Sequence, residues 1–376
     1  MNVLTLQQMA TVKIATYFFR AHEISDIEEK YQTHLYVLPD KKWEHVIKQK
    51  LPPPCCSTAL LNEITAAVRA LSFEVWHWRV DHFQIFKKRE ERRRLFNLPL
   101  SWKSDGTIDR IRTAGILIQS QFIDLETRFT LACNYWSWHK ILEFSKTIPD
   151  DEYQVLVLKY HTFSTATDVQ MVSRWFNFIM KRNVSHSCQL WSLEFKWTSV
   201  TMFNHVFNHL PIEKRLALET SSVRSSHISL GRYCLMRMNV QRRLQMLQQY
   251  PYQVLRILLH WPLQSFFKDY AAVVRETLPN RSFLQLIHII ICQKILPGFR
   301  EFNYVDLLRT FWRDSPIRCK DYVRGDAIFE ILTVILEGRG FRTHLRSGIP
   351  RRYLVHGGNV IGNTCRCIKL IMHTRN

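Results

Sequence analysis

The chain has 376 residues, a formal net charge of +20 and an aromatic content of 12 %, a composition that favours a packed interior and excludes an intrinsically disordered chain. Eleven glycines and thirteen prolines are too few for an all-β sandwich, and nine scattered cysteines make no disulfide framework. The positive excess implies attraction to something acidic: nucleic acid, an anionic membrane face or an acidic protein.

In chain order, residues 5–21 read as a first helix, with Thr5 as cap and Met9, Val12, Ile14, Ala15, Phe18 and Phe19 on one face. The amino terminus has no basic segment followed by an apolar run and a cleavage site, so no signal peptide is expected. Ser25 and Glu28 match a capping box. Asp40 is placed to cap a short helix through Trp43, Val46, Ile47 and Leu51, ended by Pro52, Pro53 and Pro54. A long helical pattern runs from about Thr58 to Leu95; its middle, FEVWHWRVDHF, also alternates, which leaves a strand as the alternative there. The run KKREERRR, Lys87 to Arg94, suits a solvated helix carboxyl end, with an import signal or a nucleic-acid contact as the other reading.

A polar break at Lys103–Gly106 opens the stretch from Pro99 to Trp138, which reads as helix, joint, helix through Ile111, Ala114, Ile118, Phe122, Leu125, Phe129, Ala132, Cys133 and Trp136. Beyond it, Pro149, Pro211, Pro251, Pro262, Pro279 and Pro297 each stand at a joint between apolar runs, where a first helical position tolerates proline. Their spacing is irregular and fits no standard repeat. Thr220 to Lys268 holds no acid but six arginines: Arg224, Arg232, Arg237, Arg242, Arg243 and Arg256. The run Phe283 to Leu296 is broken by Gln285, His288, Gln293 and Lys294 and is too short to span a bilayer. Ala327 to Leu336 closes the helical part. From Gly338 the chain has glycines, no acids and little periodicity, which predicts a loosely ordered tail. The expected organisation is an amino-terminal helical region (1–98), a helical array (99–337) and a basic tail (338–376).

Residues that could carry chemistry are sparse. His205 and His209 have the i,i+4 spacing of a metal pair, but no third ligand accompanies them. Cys365, Cys367 and His373 offer soft ligands without further donors. His186 and Cys188 are two apart, poorly placed for a base and its nucleophile. Gly338 and Gly340 do not complete a phosphate loop, and no G-x-S-x-G elbow occurs. Glu28 with Glu29, and Asp150 with Asp151, suit helix starts or solvated faces. Trp76, Trp78, Trp136, Trp138, Trp191, Trp197, Trp261 and Trp312 could stack on bases, but helical spacing makes packing the stronger explanation. No catalytic, cofactor-binding or metal residue is therefore assigned, and no cofactor is expected.

Three segments carry a resemblance: W-x-x-DGTIDR-x-x-TA (Trp102 to Ala114), RFTLACNYW (Arg128 to Trp136) and FWRDSPIRCKDYV (Phe311 to Val323). They resemble a large family of uncharacterised arthropod helical proteins, and the resemblance implies a mostly α, intracellular fold with no assigned chemistry. The whole reading is an all-α, irregular array of stacked antiparallel helices, solenoid-like, cytoplasmic or nuclear and without a transmembrane segment. Its expected use is non-enzymatic binding or scaffolding of a protein partner. The alternative is nucleic-acid binding through basic ridges at 87–94 and 224–256.

Overall fold

The computed structural model describes residues 4–51, 57–83, 85–86, 98–147, 210–225 and 227–338, with single positions at 149, 151, 155, 172 and 207. The chain is all-α. Among the described residues the helices are α1 (Leu6–Arg20), α2 (Glu23–Tyr31), α3 (Glu44–Lys50), α4 (Thr58–His82), α5 (Arg110–Gln119), α6 (Leu125–Asn134), α7 (Trp138–Thr147), α8 (Ile212–Arg224), α9 (Ile228–Arg237), α10 (Val240–Gln249), α11 (Pro251–Leu258), α12 (Phe267–Val273), α13 (Asn280–His288), α14 (Tyr304–Arg313), α15 (Ile317–Arg324) and α16 (Ile328–Glu337). A π-helical segment, Ile289–Ile295, continues α13. The extended pairing found among the described residues is a single antiparallel bridge, Trp102 with Ile108. None of the described helices is long and apolar enough to cross a membrane.

Contacts divide the chain into two units, one of Met1–Glu74, Ser104–Thr107 and Cys234–Asn376, the other of Val75–Lys103 and Ile108–Tyr233. In the first unit, Thr5 caps α1 as its sequence predicts: its hydroxyl accepts from Gln8 N at 3.2 Å while Gln8 Oε1 accepts from Thr5 N at 2.9 Å. Ser25 and Glu28 form no such box, because α2 already begins at Glu23 and both residues are buried within it. Glu28 instead accepts from Leu35 N at 2.9 Å and lies 3.9 Å from His34 Nδ1, so it is not on a solvated face. Asp40 caps no helix either. It lies in the 3-10 turn Asp40–Lys42 and pairs with Arg69, a residue 1 % exposed. The Arg69 fork also donates to the carbonyls of Tyr36 (2.6 Å), Leu38 (2.8 Å) and Pro297 (3.1 Å), tying three stretches of backbone to α4.

The later helices of this unit pack in neighbouring pairs: α10 on α11, α11 on α12 and α13, α13 on α15, and α14 on α12, α16 and the π segment. Pro251 opens α11 at its first turn, whereas Pro279 occupies the cap position before α13, as Pro211 does before α8 of the second unit. Pro262 and Pro297 lie in turns. The prolines mark joints, as their sequence context suggests, but mostly from just outside the helix. Ala327–Leu336 is helical despite its β-branched content, and Gly338 ends it with φ +71°.

In the second unit α5 packs on α6 and α6 on α7. Asp109 and Asp124 cap α5 and α6, accepting from Arg112 N and Thr127 N, each at 3.0 Å. The FEVWHWRVDHF stretch is helical through His82, with Val75, Trp76 and Trp78 buried. Phe122 is not on the apolar face that its spacing predicts: it sits in the joint after α5, 84 % exposed. Trp136 lies past the end of α6 with φ 56°.

Candidate functional site

Three groupings of side chains stand out among the described residues. The first is a cleft of ≈ 120 Å³ in the first unit, between α12, the start of α13 and the end of α14. Its floor is aromatic. Phe267 and Phe283 are 0 % and 1 % exposed, and Phe311 is half-buried above them. Phe311 meets Phe267 edge-on, centroids 5.2 Å apart and planes at 75°, and Phe283 at 4.7 Å and 40°. Ala271, Ala272 and Leu278 complete the apolar wall. Lys268, Asp269, Arg275 and Asp314 form the rim. Lys268 Nζ is 2.5 Å from Asp306 Oδ2, and Arg313 Nε donates to Asp314 Oδ1 at 2.8 Å. That hydrogen bond, together with the charges of Arg313, Arg275 and Lys320, holds the Asp314 carboxyl below the usual carboxylate range despite the opposing effect of desolvation. Phe311, Asp314 and Ser315 all come from the FWRDSPIRCKDYV segment, as do Arg313, Arg318 and Lys320 around them.

The second grouping surrounds Lys294 in the π segment. Its ammonium lies 5.1 Å from the Phe73 ring centroid, 4.9 Å from that of Phe299 and 5.6 Å from that of Tyr304, and the residue is 1 % exposed. Burial pulls the amine down to about 8, with Glu301 offsetting only part of the effect. Glu301 Oε1 accepts from Tyr304 Oη at 2.8 Å and from Gln264 Nε2 at 3.4 Å, while its Oε2 is buried with no hydrogen-bond partner. Desolvation raises the Glu301 carboxyl, against the pull of Lys294. Lysines of lowered basicity serve as bases and Schiff-base amines, and π segments often mark functional positions. Here three rings cover the amine and leave a substrate no approach, so the cluster belongs to the core. Sequence reading takes Lys294 only as a break in an apolar run, because nothing local signals that rings from positions 73, 299 and 304 enclose it.

The third grouping lies in the second unit. His82 Nδ1 is 2.6 Å from the Trp78 carbonyl, which can only accept, so this nitrogen carries the proton. Nε2 then accepts from the Tyr135 hydroxyl at 2.7 Å. Burial first, and the Arg110 charge second, pull the imidazole down to about 3 and keep it neutral. Arg110 Nη2 donates to Asp81 Oδ2 at 2.6 Å, and His227 Nδ1 lies 3.7 Å from Asp81 Oδ1. Burial alone would raise the Asp81 carboxyl; these two partners more than reverse it and hold it well below the usual range. A neutral, fully buried imidazole with both nitrogens occupied has no exposed atom for catalysis.

The DGTIDR motif is spent on structure. Asp105 Oδ1 accepts from Thr107 N (2.8 Å) and Thr107 Oγ1 (2.7 Å), its carbonyl accepts from Trp261 Nε1 (2.8 Å), and Asp109 and Arg110 act as described above. Gly106 has φ +78°, and a Cβ there would stand 2.7 Å from Leu71 Cδ2 and 3.0 Å from Val12 Cγ1, so both conformation and space demand glycine.

The remaining sequence candidates are dispersed or outside view. Lys87–Arg94, His186, Cys188, Trp191, Trp197, His205, His209, Cys365, Cys367, His373 and the tail from residue 339 lie outside the described residues. Within the basic stretch, Arg232 and Arg243 are 6 % and 7 % exposed, and Arg243 donates to the Met238 carbonyl at 2.8 Å, whereas Arg224 and Arg237 are exposed. Trp76 and Trp78 are buried and Trp138 is exposed. Cys133, Cys234, Cys292 and Cys319 are buried thiols. Among the described residues no three His, Cys, Asp or Glu side chains converge to hold a metal ion. No family model, curated protein or solved structure matches this chain.

Proposed function

We propose that this chain is a non-enzymatic interaction module that holds an apolar side chain of a protein partner in the cleft between α12, α13 and α14. The observation that carries this reading is the size and lining of the cleft. At ≈ 120 Å³ it has room for one side chain, well below the roughly 300–1,000 Å³ of small-molecule sites. Its aromatic floor is the kind of desolvated pocket in which partner anchors concentrate binding energy. The burial of Arg232 and Arg243 counts against a continuous basic ridge over 224–256 and so against nucleic acid as the main partner.

Ala272 lines the cleft from an exposed position on α12, so Ala272→Trp fills it without disturbing the core. Gln248→Trp, on the exposed side of α10, serves as control. Affinity capture from a nuclease-treated extract of the native cell should retain defined proteins on the wild type and on Gln248→Trp, and lose them about tenfold on Ala272→Trp, roughly 1.4 kcal/mol. Capture by the wild type from an untreated extract but not from the nuclease-treated one, or equal capture by Ala272→Trp, overturns the reading.

A further inference from the structure

Resting on that reading, we infer that the segment seated in the cleft is acidic: an apolar anchor side chain followed by carboxylates that face Arg275, Arg313 and Lys320. The charges around the cleft are polarised. At the α12 end Lys268 is neutralised by Asp306, and Asp269 adds a negative charge. At the α14–α15 end Asp314 lies within the influence of three cations, Arg313, Arg275 and Lys320, and Glu276 adds a second carboxylate near Cys319. Arg313 is the ion-pair partner of Asp314. Lys320 Nζ donates at 2.9 Å to the Arg313 carbonyl, a neutral acceptor, so its charge is met only at a distance, by Asp314. Exposed Arg275 has no ion pair with a described carboxylate. Nearby, Arg318 directs its guanidinium to the carbonyls of Leu278 (3.0 Å) and Glu276 (2.6 Å) and to Asn280 Oδ1 (2.6 Å), so its hydrogen bonds engage no carboxylate. A ligand with its apolar group on the phenylalanines and negative charge toward α15 meets both demands of this surface.

Phosphates would meet the same cations, but the floor argues against a nucleotide base. Bases stack on flat aromatic faces, whereas these rings lie at 75° and 40° to one another and make a notch. A compact aliphatic or phenyl side chain fits a notch of this size; a run of stacked bases finds no flat face on it.

The test uses the full chain and three fluorescein-labelled peptides, read by anisotropy: one phenylalanine followed by two glutamates, the same with two lysines, and the glutamate peptide with serine for phenylalanine. The wild type should bind the first at least fivefold more tightly than either other. Arg275→Glu, at an exposed position and with its thermal melt unchanged, should lose that preference for glutamate over lysine. The serine peptide accounts for charge attraction elsewhere on the chain. If phenylalanine gives no gain over serine, the cleft reading itself fails. If phenylalanine helps but glutamate and lysine bind equally, or Arg275→Glu changes nothing, the acidic assignment fails and the cleft reading stands. Displacement of the first peptide from the wild type, but not from Arg275→Glu, by a single-stranded oligonucleotide overturns the assignment in favour of nucleic acid.

Discussion

Replacing Lys294 with methionine keeps the length of the side chain inside its ring of Phe73, Phe299 and Tyr304 and removes the charge. The stability difference between wild type and variant should then depend on pH. In the folded chain the amine loses its proton near 8, against 10.5 for the ordinary side chain. Between those values the unfolded chain holds more protons than the folded one, so wild-type stability rises with pH across the window. The cost of burying the ammonium is complete below about 8 and gone above about 10.5. At about 1.4 kcal/mol per pH unit the gap amounts to roughly 3 kcal/mol. Ring contacts with the cation, each about 0.5–2 kcal/mol, set where the difference starts but do not remove its slope. Urea unfolding of both proteins at intervals from pH 7.5 to 10.5 measures it. Wild type should gain on Lys294→Met by roughly 3 kcal/mol over that range. A difference flat in pH would show that the amine is solvated and the packing around it wrongly understood.

Substitutions at four further positions probe other parts of the fold. Gly106→Ala meets both a left-handed backbone and contacts of 2.7 and 3.0 Å, and should destabilise by about 2–4 kcal/mol in chemical denaturation; an unchanged midpoint contradicts the close packing of that turn. Arg69→Met leaves Asp40 and three carbonyls without their shared donor and should cost about 3–5 kcal/mol, with Arg69→Lys recovering only part of it; full recovery by lysine would show that the fork geometry is irrelevant. Tyr135→Phe strands His82 Nε2 in the interior, a loss of about 1–3 kcal/mol. Because folded His82 takes up its second proton only near pH 3, wild-type stability linked to this residue is present above pH 6.5 and is lost as pH falls toward 3; His82→Gln should flatten that acid limb, and an unaltered limb refutes the assignment.

Local signals were legible where the sequence supplied both partners within a turn or two. Thr5 reads as a cap and accepts from Gln8 N; Asp109 and Asp124 accept from Arg112 N and Thr127 N at the same spacing, caps that the apolar pattern by itself did not single out. Ser25 and Glu28 have the same spacing and form no cap, because their helix starts earlier and Glu28 turns to Leu35 N instead. Asp40 resembles a cap residue until Arg69, 29 positions away, claims it. Lys294 reads as polar punctuation in an apolar run, but its rings come from three separated stretches. The cleft was hidden for the same reason: Phe267, Phe283 and Phe311 each look like ordinary core residues on their own helices, and only their convergence leaves a notch. Helical periodicity reports which face is buried and says nothing of which buried faces fail to close.

A photo-crosslinking side chain placed at Ala272 in the full chain, in the native cell, reads the occupant of the cleft directly, with Gln248 on α10 as the reference position. The account predicts a nuclease-resistant protein adduct at position 272 and not at 248, mapping to an apolar residue next to carboxylates on the partner. Adducts to nucleic acid, or equal yields at the two positions, would contradict it.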